Sequence, residues 1–245
     1  MKTLQKTQSW PAENVSTAVV AADGTVLGTG GEQQKRYPLA SVTKLLTAYA
    51  FQVALEEEAV GLDDPAGPEG STIRHLLAHT GGYDFGDRTV RYEPGTRRLY
   101  SNAGFEVLGE HLEQATGISF ADYLSEAVLE PLGMKDTALE GSPAAGAVST
   151  AADLSRFAAE LQAPQLISAG SLTAATSVVF PGLAGVLPGF GRQKENDWGL
   201  GFEIRNGKSP HWTGEANSPR TFGHFGQSGT FLWVDPELEA AAVAL

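Results

Sequence analysis

Runs of strand-forming residues lie at the two ends of this 245-residue chain and helical periodicity fills most of the space between them, so the terminal strands must find each other across the whole sequence. Val15 to Val20, the turn pair Asp23-Gly24 and Thr25-Val26-Leu27 read as a hairpin. At the other end, 198–204, 221–225, 230–234 and 240–245 are short runs separated by turn residues, among them Asp235-Pro236. Between them, Val42, Leu45, Leu46, Tyr49 and Val53 predict a largely buried helix over 41–59. Ser71 is placed to cap a short helix through Leu77, and Ser101 or Asn102 one carrying Phe105, Leu108 and Leu112 to Gly117. Ser119 opens a helix with Phe120, Tyr123, Leu124 and Val128 inward, and Thr150 another to about Leu161, with Asp153 at the capping-box position. The simplest closure is an α+β architecture: one antiparallel sheet (about 10–40 and 190–245) beside a helical block (about 41–189), forming one domain over 1–245.

Charge narrows the partners. Seventeen Lys plus Arg against 29 Asp plus Glu leave a net charge of −12, which repels nucleic acid and anionic lipid in the absence of a local basic patch. Zero cysteines exclude disulfides, thiolate metal sites and a cysteine nucleophile. No apolar run is long enough to span a bilayer, and Met1 to Trp10 lacks the apolar core of a secretory leader. The chain as given is therefore expected in the cytoplasm, with export of a longer precursor left open. His75, His111 and His211 lack zinc-site spacing and are assigned surface or capping roles, while His79 is expected to satisfy carbonyls at a helix end. Trp198 and Trp233 are assigned to the core. No metal or organic cofactor is expected.

Three segments carry chemistry. In Ser41-Val42-Thr43-Lys44, serine and lysine share one face of a helix start about one turn apart. A serine hydroxyl does not attack a carbonyl unaided, and a lysine held neutral in a dry pocket can take its proton. Capping by Ser41 and solvation of Lys44 would suit the same spacing, but the apolar residues around Lys44 argue for burial. In Tyr100-Ser101-Asn102 an extended backbone sends the first and third side chains to one side. The phenol can act as a general base if a cation such as Lys44 lowers its pKa, and the carboxamide can hold a substrate carbonyl and orient the lysine. Taken alone, this segment is better explained by a cap at Asn102 and packing at Tyr100. The third segment, Gly223 to Gly229, sets His224 on a strand whose glycines admit a ligand to the backbone, where a strand-edge N–H could join that of Ser41 in an oxyanion hole, or else mark only a bulge.

Jointly these segments resemble the serine β-lactamase and penicillin-recognising enzyme superfamily, most closely its class C-like branch, in which Tyr-x-Asn is the second motif and His-x-Gly often replaces Lys-Thr-Gly. Leu76 to Gly82, Glu93-Pro94-Gly95, Pro131 to Met134, Ser149 to Leu154 and Gly199 to Phe202 are further lookalike stretches. The resemblance implies a β-lactamase-like fold and a serine hydrolase working through an acyl-enzyme on a small ester, amide or β-lactam-like carbonyl. Ser41 would be the nucleophile, and Lys44 and Tyr100 the proton-transfer pair. Asn102, His224, Gly226 and Gln227 would bind substrate, with the Ser41 and Gln227 amides as the oxyanion hole. The alternative is a non-hydrolytic penicillin- or peptide-binding protein on the same scaffold. Phe225 stands where threonine is usual, which weakens the case for β-lactams and D-Ala termini and favours small esters or amides. The chain stops inside its last strand, where relatives continue into a helix over the sheet, and its amino-terminal helix looks short. One sheet face is therefore expected to be bare, or covered by another copy in a homo-oligomer.

Overall fold

The structure is a computed structural model and describes residues 6–245; the first five residues of the Met1–Trp10 segment lie outside the described residues. A single 3-10 turn, Lys6–Ser9, opens the described chain. The ends do pair. β1 (Thr17–Ala21) and β2 (Val26–Gly30) form the expected hairpin, and the last strand, β11 (Ala240–Ala244), lies against β1, with Ala18 opposite Val243 and Val20 opposite Ala241. With β8 (Glu203–Ile204), β9 (Phe222–Phe225) and β10 (Phe231–Asp235), they make an antiparallel six-stranded sheet in the order β2-β1-β11-β10-β9-β8.

Side-chain alternation divides this sheet into two faces. Ala18, Val20, Leu232, Val234, Ala241 and Val243 form a fully buried inner face, against which α5 (Ala151–Glu160) packs. The outer face carries Val19, Trp233 and Ala242 in one cross-strand row, all half-buried. Trp233 therefore leaves the core assigned to it, because its two neighbours in β10 point inward. Trp10 and Trp212 cover Phe231 on the same side.

The helical block is centred on α1 (Thr43–Glu56), buried at every position from Thr43 to Ala54. Its first turn is not α-helical: Ala40–Val42 is a 3-10 turn that carries Ser41. α2 (Ile73–Leu77) starts after Thr72, one residue later than the expected Ser71 cap. Ser101 caps α3 (Asn102–Thr116) by accepting the Gly104 N–H at 3.1 Å, and left-handed Gly117 ends it. Because Ser101 is the cap, the Asn102 side chain is free for other work. α4 (Phe120–Leu124), capped by Ser119, runs on into a π-helical turn, Ser125–Leu129. Thr150 caps α5, but the Asp153 carboxylate accepts from the Asp136 N–H and the Thr137 hydroxyl, so it ties a loop rather than closing a capping box.

Several elements escape the periodicity. α6 (Ala169–Ala175) is too rich in small residues to show a stripe. β3 (Tyr37–Pro38), β4 (Ala138–Leu139) and β5 (Ala147–Ser149) form a small sheet, and β6 (Gly185–Leu187) and β7 (Gly191–Gln193) a hairpin. The 198–204 run shrinks to β8, with Trp198 bridging to Glu203. Among the described residues, no helix is long and apolar enough to cross a membrane.

Candidate active site

The strand that precedes Ser41 and the turn that faces it are locked together. Ala40 takes a left-handed φ of 47°, unusual for a residue with a Cβ, and turns the chain sharply into the helix. The β9–β10 turn docks on this bend: the Thr230 hydroxyl donates to the Leu39 carbonyl at 2.8 Å and that of Ser228 to the Pro38 carbonyl at 3.0 Å. Gly226 is required in this contact, since a Cβ there would stand 2.5 Å from the Leu39 carbonyl oxygen. Gln227 is thereby held beside Ser41. Among the turn, loop and cap hydrogen bonds of the described residues, neither the Ser41 nor the Gln227 amide is a donor. Both line one pocket of about 320 Å³ with Phe85, Tyr100, Pro188, Gly189, His224, Phe225 and Gly226.

Lys44 lies beneath that pocket, fully buried. Its ammonium group donates to Asn102 Oδ1 at 2.6 Å and to the Ala144 carbonyl at 2.8 Å, and stands 4.7 Å from the centre of the Tyr100 ring. Burial pushes its pKa down to about 7, against a weak opposing pull from Glu106. Tyr100 moves the other way. Burial raises its pKa, and the nearby Ser41 hydroxyl opposes this only in part. The expectation that Lys44 would lower the phenol's pKa is thus overturned, because the amine itself is desolvated and only half charged near neutrality. Burial thus favours a neutral lysine amine and a protonated phenol at this site.

His224 is buried on the opposite wall, with Nδ1 bonded to the Phe225 carbonyl at 2.7 Å. Burial and the nearby Lys44 bring its pKa down to about 3, so the ring is neutral. Its Nε2 is buried with no hydrogen-bond partner among the described residues, the Tyr100 hydroxyl is buried with only the Ser41 hydroxyl nearby, and the two rings lie 5.7 Å apart. Phe225 is wedged between Phe190, at 5.7 Å, and Trp212, at 5.4 Å.

All seven sequence-derived site residues therefore meet around Lys44 and the pocket: Ser41, Tyr100, His224, Gly226 and Gln227 line it, and Asn102 grips the lysine. Sequence reasoning missed Phe85, the Pro188-Gly189 hairpin tip and the Ala144 carbonyl, none of which carries a motif. His79 is buried and accepts a backbone N–H instead of serving carbonyls through its ring. His211 is also corrected: it is no surface residue but binds buried Glu203 through Nε2 at 2.9 Å. The described residues contain no cluster of potential metal ligands.

A terminal-strand sheet, a buried helix that starts at a serine, and a lysine held by an asparagine from a second helix define a β-lactamase-like protein. The chain belongs to the Beta-lactamase family, whose model matches residues 12–245. It is 56% identical to a beta-lactamase from Mycobacterium bovis of known crystal structure, with a TM-score of 0.97 over 99% of this chain and 90% of that one. A penicillin-binding protein of Bacillus subtilis is 30% identical over 134 residues, 41% of this chain and 30% of the relative. The D-alanyl-D-alanine-carboxypeptidase/endopeptidase AmpH of Escherichia coli K12 is 29% identical over 142 residues, 43% of this chain and 37% of the relative. The matched segment thus spans about a third of the length of these two curated relatives.

Proposed function

We propose that the protein is a serine hydrolase that cleaves small, uncharged carboxylic esters through an acyl-enzyme on Ser41. The Ser41 hydroxyl forms a bond to the ester carbon as its proton passes to the neutral Lys44 amine, and the Ser41 and Gln227 amides hold the oxyanion. The C–O bond to the leaving alcohol then breaks, with the Tyr100 phenol protonating the alkoxide and recovering a proton from the Lys44 ammonium. Water repeats the sequence on the acyl group and frees Ser41. Amides fit the same steps with a poorer leaving group.

The observation that carries the ester reading is the lining of the pocket. Phe85, Pro188 and Phe225 supply apolar surface, no Lys or Arg among the described residues lines it, and the His224 ring is neutral. A β-lactam or a D-alanyl terminus brings a carboxylate that nothing here would pair, and desolvating an unpaired carboxylate costs several kcal/mol. The names of the M. bovis and E. coli relatives favour the β-lactam and D-alanyl readings, so the assay must include both substrates.

A fluorophosphonate probe is expected to add one adduct by intact mass, lost in Ser41→Ala. No adduct on the wild type would favour the non-hydrolytic binder. In parallel assays, kcat/KM for p-nitrophenyl acetate is expected to exceed that for a chromogenic cephalosporin or a D-alanyl dipeptide by at least about a hundredfold, roughly the 3 kcal/mol that one unpaired charge implies. A cephalosporin turned over as well as the ester would overturn the substrate assignment.

A further inference from the structure

The Tyr100–Asn102 segment supplies a phenol and a lysine-holding carboxamide, yet it belongs to no strand and only its last residue is helical. Something else must fix its backbone, because an error of about 1 Å at such groups costs orders of magnitude in rate. Three consecutive residues after α2 share this with Asp84 and Phe85, whose carbonyls accept the Ser101 hydroxyl at 2.6 Å and the Asn102 N–H at 2.7 Å. The Ala78 carbonyl accepts from the Arg98 guanidinium. The His79 carbonyl accepts the Leu99 N–H at 2.8 Å, and the Thr80 carbonyl accepts that of Gly95 at 2.9 Å. The fourth bond comes from a side chain: His79 Nδ1 accepts the Ser101 N–H at 3.2 Å, between the two functional residues.

We propose that His79 is a positioning residue for this site, holding Tyr100 and Asn102 in place through an imidazole acceptor and a backbone acceptor two residues apart on the segment it serves. The role rests on the hydrolase reading above, since it acts through Tyr100 and Asn102. Three further observations support it. His79 sits at a left-handed φ of 55°, which turns the chain at the end of α2 and is tolerated best by Gly, Asn, Asp and His. Its ring is packed on three sides, with centres 4.5 Å from Tyr100, 5.1 Å from Phe105 and 4.6 Å from Trp198. Finally, burial together with Lys44, His224 and Arg98 drives its pKa well below the usual histidine range, so Nδ1 remains an acceptor while the enzyme works. A ring that accepts through Nδ1 carries its proton on Nε2. That proton faces no acceptor among the described residues, so the Ser101 bond is the ring's one hydrogen bond to them.

This acceptor requirement makes the role testable, because two amide side chains mimic different ring nitrogens. In His79→Asn the Oδ1 falls near the position of Nδ1 and the left-handed φ is tolerated. In His79→Gln the acceptor reaches toward Nε2 and leaves the Ser101 N–H unmet. The expected result is a kcat for p-nitrophenyl acetate within about fivefold of wild type in His79→Asn and at least about fiftyfold lower in His79→Gln and His79→Leu, with KM within about twofold throughout. Hydrogen exchange at the Ser101 amide reads the same bond without turnover: protection is expected in the wild type and His79→Asn and is lost in the other two. Should His79→Leu fail to fold, the Asn and Gln pair decides the matter. Equal kcat in Asn and Gln variants, or Ser101 protection that ignores residue 79, overturns the proposal. Loss of the fluorophosphonate adduct on wild-type Ser41, by contrast, would overturn the hydrolase reading and leave the exchange result standing.

Discussion

Lys44→Met is expected to lower ester turnover by about a thousandfold or more, the scale on which a base activating a weak nucleophile acts, while raising the melting temperature. Both effects have one cause. A lysine that is free in the unfolded chain titrates at 10.5, and in the folded protein burial brings it down to about 7. At 1.36 kcal/mol per unit, holding it in place at pH 7 costs on the order of 4 kcal/mol. Methionine fills nearly the same volume without that cost but strands the Ala144 carbonyl, a loss of about 1–3 kcal/mol. The Asn102 carboxamide is half-buried and can turn to solvent. The net gain of about 2 kcal/mol corresponds to a rise of roughly 4–8 °C for a chain of this size. The pH dependence gives the sign independently. Between pH 7 and 10.5 the unfolded state binds a proton that the folded state has released, so wild-type stability gains from this group as pH rises through that window, and Lys44→Met lacks the gain. Turnover by the wild type should likewise climb with pH around 7, as the amine becomes neutral, and then level. Melting curves at pH 6.5 and 9 with a pH–rate profile check all three, and a methionine variant that is both active and less stable would remove lysine from the role of base.

The parts of this that could be read from sequence were those written in local patterns. Strand-forming runs bounded by turn residues marked β1, β10 and β11, and a cap with an apolar stripe marked α3 and α5. Motif order brought Ser41, Lys44, Tyr100, Asn102 and His224 together because residue types such as these, at short spacing, are constrained by chemistry as well as by packing. Where the reading failed, the cause was non-local. Trp233 was placed inside because aromatic character does not say which face of a strand a residue takes, and the parity of Leu232 and Val234 does. The phenol's pKa depends on how dry the site is, which only the assembled pocket determines. Ala144 and Ala78 act through backbone carbonyls, so their side chains carry no signal. His211 looked like a loop histidine because its partner, Glu203, becomes buried only when β8 joins the sheet.

That same Glu203 is the site of the second large effect, and it connects stability to the pocket. Its carboxylate is fully buried: one oxygen meets Lys208 Nζ, and the other accepts from His211 Nε2 at 2.9 Å and from Trp212 Nε1 at 2.8 Å. Burial alone would raise its pKa, but Lys208 and His211 more than offset that and hold it below the usual value. Burial lowers the pKa of Lys208 in turn, with Glu203 opposing. Glu203→Gln keeps the shape and two acceptor contacts yet strands the Lys208 ammonium among the Asp197 and Ile204 carbonyls. Breaking a buried pair in this way costs about 3–5 kcal/mol, or roughly 6–20 °C in melting temperature for a domain of this size. Adding Lys208→Met to Glu203→Gln removes the stranded charge and is expected to recover most of the loss. The functional consequence runs through Trp212, which packs against Phe225 on the pocket wall. A neutral carboxamide oxygen holds the Trp212 N–H less tightly than the carboxylate does, so KM for the ester should rise several-fold while kcat, which the proposed mechanism assigns to Ser41 and Lys44, changes by less than about threefold. A glutamine variant that melts within about 2 °C of wild type, or a double variant less stable than the single one, would show that the carboxylate and ammonium are not a coupled buried pair.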